Sequence, residues 1–277
     1  MFSIEVSLPA DLELISQGAE CATRLPVLCI HGGWHGAWCW QDNFLPGLAA
    51  AGYAAYALSL RGHGCSTGRA RFASAAQYQQ DIDWAVDQIR ARSGQTPALL
   101  GHSMGGYLVQ QWLQHHTAPG AVLLASIPPY GFGDFLLKFS RRKPLQMLKL
   151  LLTADTSVAV ATPERAAELF FSATADPEVV QHCWDRLTRE SLRIMLDASL
   201  LDLPDTSRIN TPMLVLGAGN DAIFPPSHIY ATAHAYGSEA IIFPHLAHDM
   251  MLDTGHAQVL QTIAEWLATL QQPLPGH

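Results

Sequence analysis

A nucleophile, a base and an acid that could act together each follow shortly after an apolar run in this chain. Ser103 lies in Gly101-His102-Ser103-Met104-Gly105 after Pro97-Ala98-Leu99-Leu100; Asp221 follows Pro212–Gly217; His248 follows Ala240–Phe243. A serine hydroxyl attacks a carbonyl well only when a base takes its proton. An imidazole does this when a carboxylate fixes its tautomer and stabilises the imidazolium. The order serine, aspartate, histidine along the chain is one of the orders in which that triad occurs.

The elements that must hold these residues are legible around them. The glycines of G-x-S-x-G permit a sharp strand-to-helix turn that presents Ser103 Oγ at the carboxyl edge of a sheet. The same turn aims the N–H of Met104, at the helix start, toward an oxyanion formed there. A second buried run, Leu25–Ile30, empties into His31-Gly32-Gly33-Trp34-His35-Gly36-Ala37-Trp38. Backbone can approach a ligand closely at such glycines, so Gly33 N–H is the expected second oxyanion donor and Trp34 N–H the substitute. His31 and His35 are spaced as metal ligands on a helix, but Gly32-Gly33 between them argues against a helix, and no metal is expected. His31 and His63 are expected to hydrogen-bond loop backbone, while His35 and Trp38 line or support the cleft. Asp249 and Asp253 compete with Asp221, but side chains so near His248 in sequence point elsewhere; His245 competes with His248, which the final helix favours.

Between these motifs, apolar strands alternate with helical stretches at 38–51, 75–92 and 226–235, and a helix over 256–270 closes the chain. Residues 2–9 and 11–16 read as an edge hairpin. The alternation specifies an α/β fold, a mostly parallel doubly wound sheet. From 130 to 207 the alternation stops, leaving helical segments punctuated by Pro144, Pro163, Pro177 and Pro204. The expected domains are therefore a core of 1–129 and 208–277, with 130–207 inserted as a helical cap above Ser103. Trp34, Phe132 and Trp184 are the expected substrate-binding residues.

With 277 residues, 49% of them hydrophobic, the chain can bury a large core, and its net charge of −8 argues against nucleic acid as a partner. The five cysteines, Cys21, Cys29, Cys39, Cys65 and Cys183, are scattered and read as reduced thiols. The first residues lack a signal-peptide pattern, and no run reaches the roughly 18 apolar residues of a membrane span. A soluble, cytoplasmic protein is expected. Lys138, Lys143 and Lys149, the only lysines, cluster with Arg141 and Arg142 among leucines, so peripheral membrane contact through 135–152 is also open.

In these residues the chain resembles the α/β-hydrolase superfamily. They are His31-Gly32-Gly33 after a strand, Gly101–Gly105 around Ser103, Asp221, and His248 before the last helix. The loop His31–Trp38 is similar to that of plant methylesterases and hydroxynitrile lyases, whereas Arg61-Gly62-His63-Gly64 and the insertion look more like bacterial esterases, lactonases and lysophospholipase-like members. A serine at 103 sets the chain apart from members with an aspartate nucleophile. The resemblance implies hydrolysis of a small apolar carboxylic ester, lactone or monoacyl lipid through an acyl-enzyme, with no cofactor. The alternatives are a lyase or carbon–carbon bond hydrolase on the same triad, or a binding protein that keeps the fold.

Overall fold

The computed structural model describes residues 11–19 and 22–270. Among these residues seven strands form one sheet: β1 (Leu14–Gln17), β2 (Pro26–Ile30), β3 (Ala54–Leu58), β4 (Ala98–His102), β5 (Ala121–Leu124), β6 (Met213–Ala218) and β7 (Ala240–Phe243). Their order across the sheet is β1-β3-β2-β4-β5-β6-β7. All neighbours run parallel except β1, which pairs antiparallel with β3 from Leu14↔Leu58 to Gln17↔Ala55. The strand expected at 2–9 lies outside the described residues. Every residue of β2 to β6 is buried, as continuous apolar runs between two helical layers require.

The helices of the core are α1 (Trp38–Gln41), α2 (Phe44–Ala50), α3 (Ala75–Ser93) and α4 (Met104–Leu113). Ser74 and Gln77 close a capping box on α3, and Gly94 ends it in the left-handed conformation at φ 71°. The single helix expected over 38–51 is two. In an unbroken helix the Pro46 ring would meet the carbonyl of residue 42, so α2 restarts at Phe44 and keeps Pro46 in its first turn. The Asn43 side chain, at the break, donates to Met251 O at 3.0 Å.

After β5 come α5 (Gly133–Arg142), α6 (Pro144–Thr153), α7 (Pro163–Phe170), α8 (Pro177–Arg186) and α9 (Leu192–Leu196), the last running into a π turn. No strand occurs among residues 130–207. Pro144, Pro163 and Pro177 open α6, α7 and α8, where a missing N–H is harmless. The chain then returns through β6, α10 (Pro226–Ala235), β7 and α11 (His256–Thr269). Strand β7 lies three places from β4, about 14 Å at ordinary strand spacing. The loop 244–255 must therefore travel back across the sheet's edge to bring His248 toward Ser103.

Candidate active site

Ser103 sits between β4 and α4 at φ 53°, ψ −116°, a conformation that a residue with a Cβ adopts only when its surroundings hold it. Its N–H donates to Leu124 O at 3.0 Å, and its carbonyl accepts from Ile127 N–H at 3.1 Å and Gly106 N–H at 3.0 Å. The turn closes because the neighbouring glycines are bare. A Cβ on Gly101 would lie 2.5 Å from Gly105 O, and one on Gly105 would strike Ile30 O.

Across the sheet's edge, His248 Nδ1 and Asp221 Oδ2 are 2.8 Å apart, both side chains buried. The other Asp221 oxygen accepts from Ile223 N–H (2.7 Å) and Phe224 N–H (2.8 Å). A carboxylate held on both oxygens makes Nδ1 the protonated nitrogen and leaves Nε2 as the acceptor. The rings of Phe170 and Phe224 pack against His248 at 6.2 and 5.6 Å. The competing residues fall elsewhere. His245 is exposed, Asp253 accepts from Ser172 and Ala247 N–H groups, and Asp249 pairs with His35.

Ser103, Met104, Gly33, Trp34 and Phe132 line one pocket, with Phe135, Leu136 and Leu150 of the helical insertion. Among the described residues, neither Gly33 N–H nor Met104 N–H donates a hydrogen bond, so both remain available to an oxyanion. Trp34 N–H is taken by Glu190 Oε2 at 3.4 Å. This separates Gly33 from its substitute. Trp184 is not brought to the pocket. Its indole N–H donates to Val160 O at 3.0 Å, inside the insertion.

Two groupings were not visible in the sequence. Trp34 has φ 66°, and the insertion grips its peptide on both sides: Thr188 N–H donates to Trp34 O at 2.8 Å while Glu190 accepts its N–H. Glu190 is buried, with Tyr78 Oη donating to it at 2.8 Å and Ser191 N–H at 2.6 Å. His63 Nε2 stands 3.1 Å from its other oxygen. Burial alone would raise the Glu190 carboxyl, but His63, Ser191 and Tyr78 together hold it below the usual range.

The second grouping lies behind His248. His35 Nδ1 donates to Gly33 O at 2.8 Å and Nε2 faces Asp249 Oδ2 at 2.9 Å. Burial opposes a charge on His35, yet Asp249 raises it well above the ordinary histidine value, and the pairing lowers Asp249 in turn. His102 Nε2 donates to His248 O at 3.0 Å, and burial, reinforced by His248, lowers His102 to about 3, so it stays neutral. His31 is neutral for the same reasons of burial and a neighbouring histidine, His63. It donates to Gly32 O and accepts from Leu60 N–H. His35, Cys183 and Asp249 also bring three ligand-type atoms within 4.8 Å, but the histidine and carboxylate are already engaged with each other. The one available signal was position, since His35 and Asp249 each flank an expected site residue.

No helix of the described residues is long and apolar enough to cross a membrane. Phospholipase YtpA of Bacillus subtilis (strain 168) is 26% identical over 204 residues, covering 71% of this chain and 76% of its own. Probable esterase PIR7A of Oryza sativa subsp. indica is 29% identical over 192 residues, covering 67% and 68%. Among solved structures, a thermophilic esterase from Thermogutta terrifontis superposes with a TM-score of 0.70 at 19% identity, over 95% of each chain. Residues 27–262 match the model of the alpha/beta hydrolase family. With that match over most of its length, and the strand order described above, this chain belongs to the alpha/beta hydrolase family.

Proposed function

We propose that this chain is a serine-dependent hydrolase of carboxylic esters, with residues 130–207 acting as a cap over the site. The reading is carried by the 2.8 Å Asp221–His248 hydrogen bond, formed at the same sheet edge as the strained turn at Ser103. His248 Nε2 takes the hydroxyl proton as Ser103 Oγ attacks the ester carbonyl, and Asp221 stabilises the imidazolium. Gly33 and Met104 N–H groups hold the oxyanion. His248 then gives its proton to the leaving alcohol, and a water activated by the same imidazole releases the acid from the acyl-enzyme. The pocket's apolar lining suits a hydrocarbon acyl group, with Phe132 beside it and Glu190 its single charged lining residue among the described residues. The names of the curated relatives, an esterase and a phospholipase, are consistent with this class.

The test is turnover of p-nitrophenyl esters from acetyl to dodecanoyl by wild type and Ser103→Ala. Serine-dependent hydrolysis with a chain-length optimum is expected. A folded protein without turnover, whose Ser103 does not react with an organophosphonate, would overturn the reading in favour of a lyase or a binding protein.

A further inference from the structure

The geometry points to a second functional surface: the outer face of α5 and α6 is a docking site for an anionic lipid surface. Each helix has two sides. Phe135, Leu136, Phe139, Met147 and Leu150 face inward and line the pocket that holds Ser103. On the outer side Leu137, Leu145, Leu148 and Leu152 are 50%, 80%, 53% and 77% exposed. Three of them fall at i, i+3 and i+7 of α6, so that helix is apolar on the side that faces solvent as well as on the side that does not. A helix of that kind normally has a covering on both sides.

Charge selects the covering. Residues 135–153 contain no aspartate or glutamate, while Lys138, Arg141, Arg142, Lys143 and Lys149 lie among the exposed leucines. Among the described residues only Lys143 of these five is ion-paired, to Glu168 at 3.4 Å. The chain as a whole carries −8. A second copy docking face to face would set this cationic patch against itself, because a two-fold contact uses the same surface twice. An anionic bilayer instead takes the leucines into its interfacial region and the cations against its headgroups. The surface is independent of the ester-hydrolase reading. Only its consequence, delivery of a membrane-dissolved acyl ester to the pocket on the inner side of the same helices, rests on that reading.

The experiment is sedimentation with vesicles, using the full chain as Ser103→Ala so that turnover cannot alter the lipid. Phosphatidylglycerol–phosphatidylcholine vesicles are compared with phosphatidylcholine alone, at low and high salt. Binding to the anionic vesicles is expected, weakened by salt. Arg141→Ser with Lys149→Ser should reduce it by roughly fivefold per cation removed, and Leu145→Ser with Leu152→Ser should reduce it at low and high salt alike. In the Ser103 background these four substitutions leave p-nitrophenyl acetate hydrolysis unchanged, because none of the four side chains lines the pocket. Absence of binding, or equal binding to neutral vesicles, would overturn the proposal. So would a concentration-dependent dimer that the leucine substitutions abolish, which would assign the face to a second copy. Loss of esterase turnover in the p-nitrophenyl series would leave vesicle binding intact, so the two readings fail separately.

Discussion

His35 Nε2 and Asp249 Oδ2 meet at 2.9 Å, fully buried, one residue along the chain from His248 and two from Gly33. This pair ties the loop that ends β2 to the loop that returns from β7. It spans the two segments whose relative position sets the distance between His248 and Gly33. Replacing His35 by Gln leaves a buried carboxylate without its cation and should cost about 3–5 kcal/mol in a urea titration. Replacing both residues, His35→Phe with Asp249→Leu, should recover much of that stability while kcat stays low and KM changes little. Full recovery of kcat in the double variant would show that the pair serves stability alone.

Acid sensitivity should come from His31 and His102. Both are held neutral in the fold below the ordinary histidine value, His102 down to about 3. The unfolded chain takes up these protons near pH 6.5 and the folded chain does not, so stability falls as pH drops below about 6.5. Each such group contributes a slope of up to about 1.4 kcal/mol per pH unit. His102→Gln keeps a donor for the His248 carbonyl and cannot protonate. Its stability, measured by denaturant titration between pH 6 and 4, should fall less steeply than wild type by about one such slope. His35 contributes with the opposite sense. Its raised value gives stability that is complete below about pH 6.5 and is lost as pH rises through the folded value.

Replacing Ser103 should separate chemistry from folding. Ser103→Ala should lower kcat by about 10⁴-fold or more with stability within about 0.5 kcal/mol of wild type. Asp221→Asn retains an oxygen for the Ile223 and Phe224 N–H groups but offers His248 the wrong partner, and should lower kcat by about 10⁴-fold. Steady-state rates on a short p-nitrophenyl ester, with thermal unfolding of the same samples, check both.

Phe132 and Trp184 should part company in a specificity series. Phe132 lines the pocket, so Phe132→Ala enlarges it and should move the chain-length optimum toward longer acyl groups. Trp184→Phe removes a hydrogen bond to Val160 O within the insertion, costing about 1 kcal/mol of stability with the optimum unchanged.

The strands that end at Ser103, Gly33, Asp221 and His248 were legible because continuous apolar runs and glycine-rich strand ends are local signals. The split at Pro46 is also local, but the apolar spacing runs through it and hides it. Trp184 looked like a ligand contact because an aromatic in an apolar insertion has the same appearance whether it packs inward on its own helices or down onto a pocket. Glu190 and Thr188 could not be read at all. Their partner Trp34 is more than 150 residues away, and no periodicity records a hydrogen bond between two irregular segments. Asp249 adjoins His248 in sequence, but its partner, His35, depends on where the returning loop comes to rest.

The grip of Thr188 and Glu190 on the Trp34 peptide makes the insertion unequal in its freedom. Its 188–191 stretch is bolted down, since Ser191 Oγ also donates to Ala73 O at 2.7 Å and Tyr78 holds Glu190 from below. Lifting that side would release Trp34 and slacken the Gly33–Trp34 loop in the same movement. The α5–α6 side has a single hydrogen bond to the sheet-bearing core among the described residues, from Arg71 to Thr153 O. The edge of the insertion that carries the exposed leucines is thus the one least tied to the core by hydrogen bonds, whereas residues 170–172 and 188–202 are held at several points.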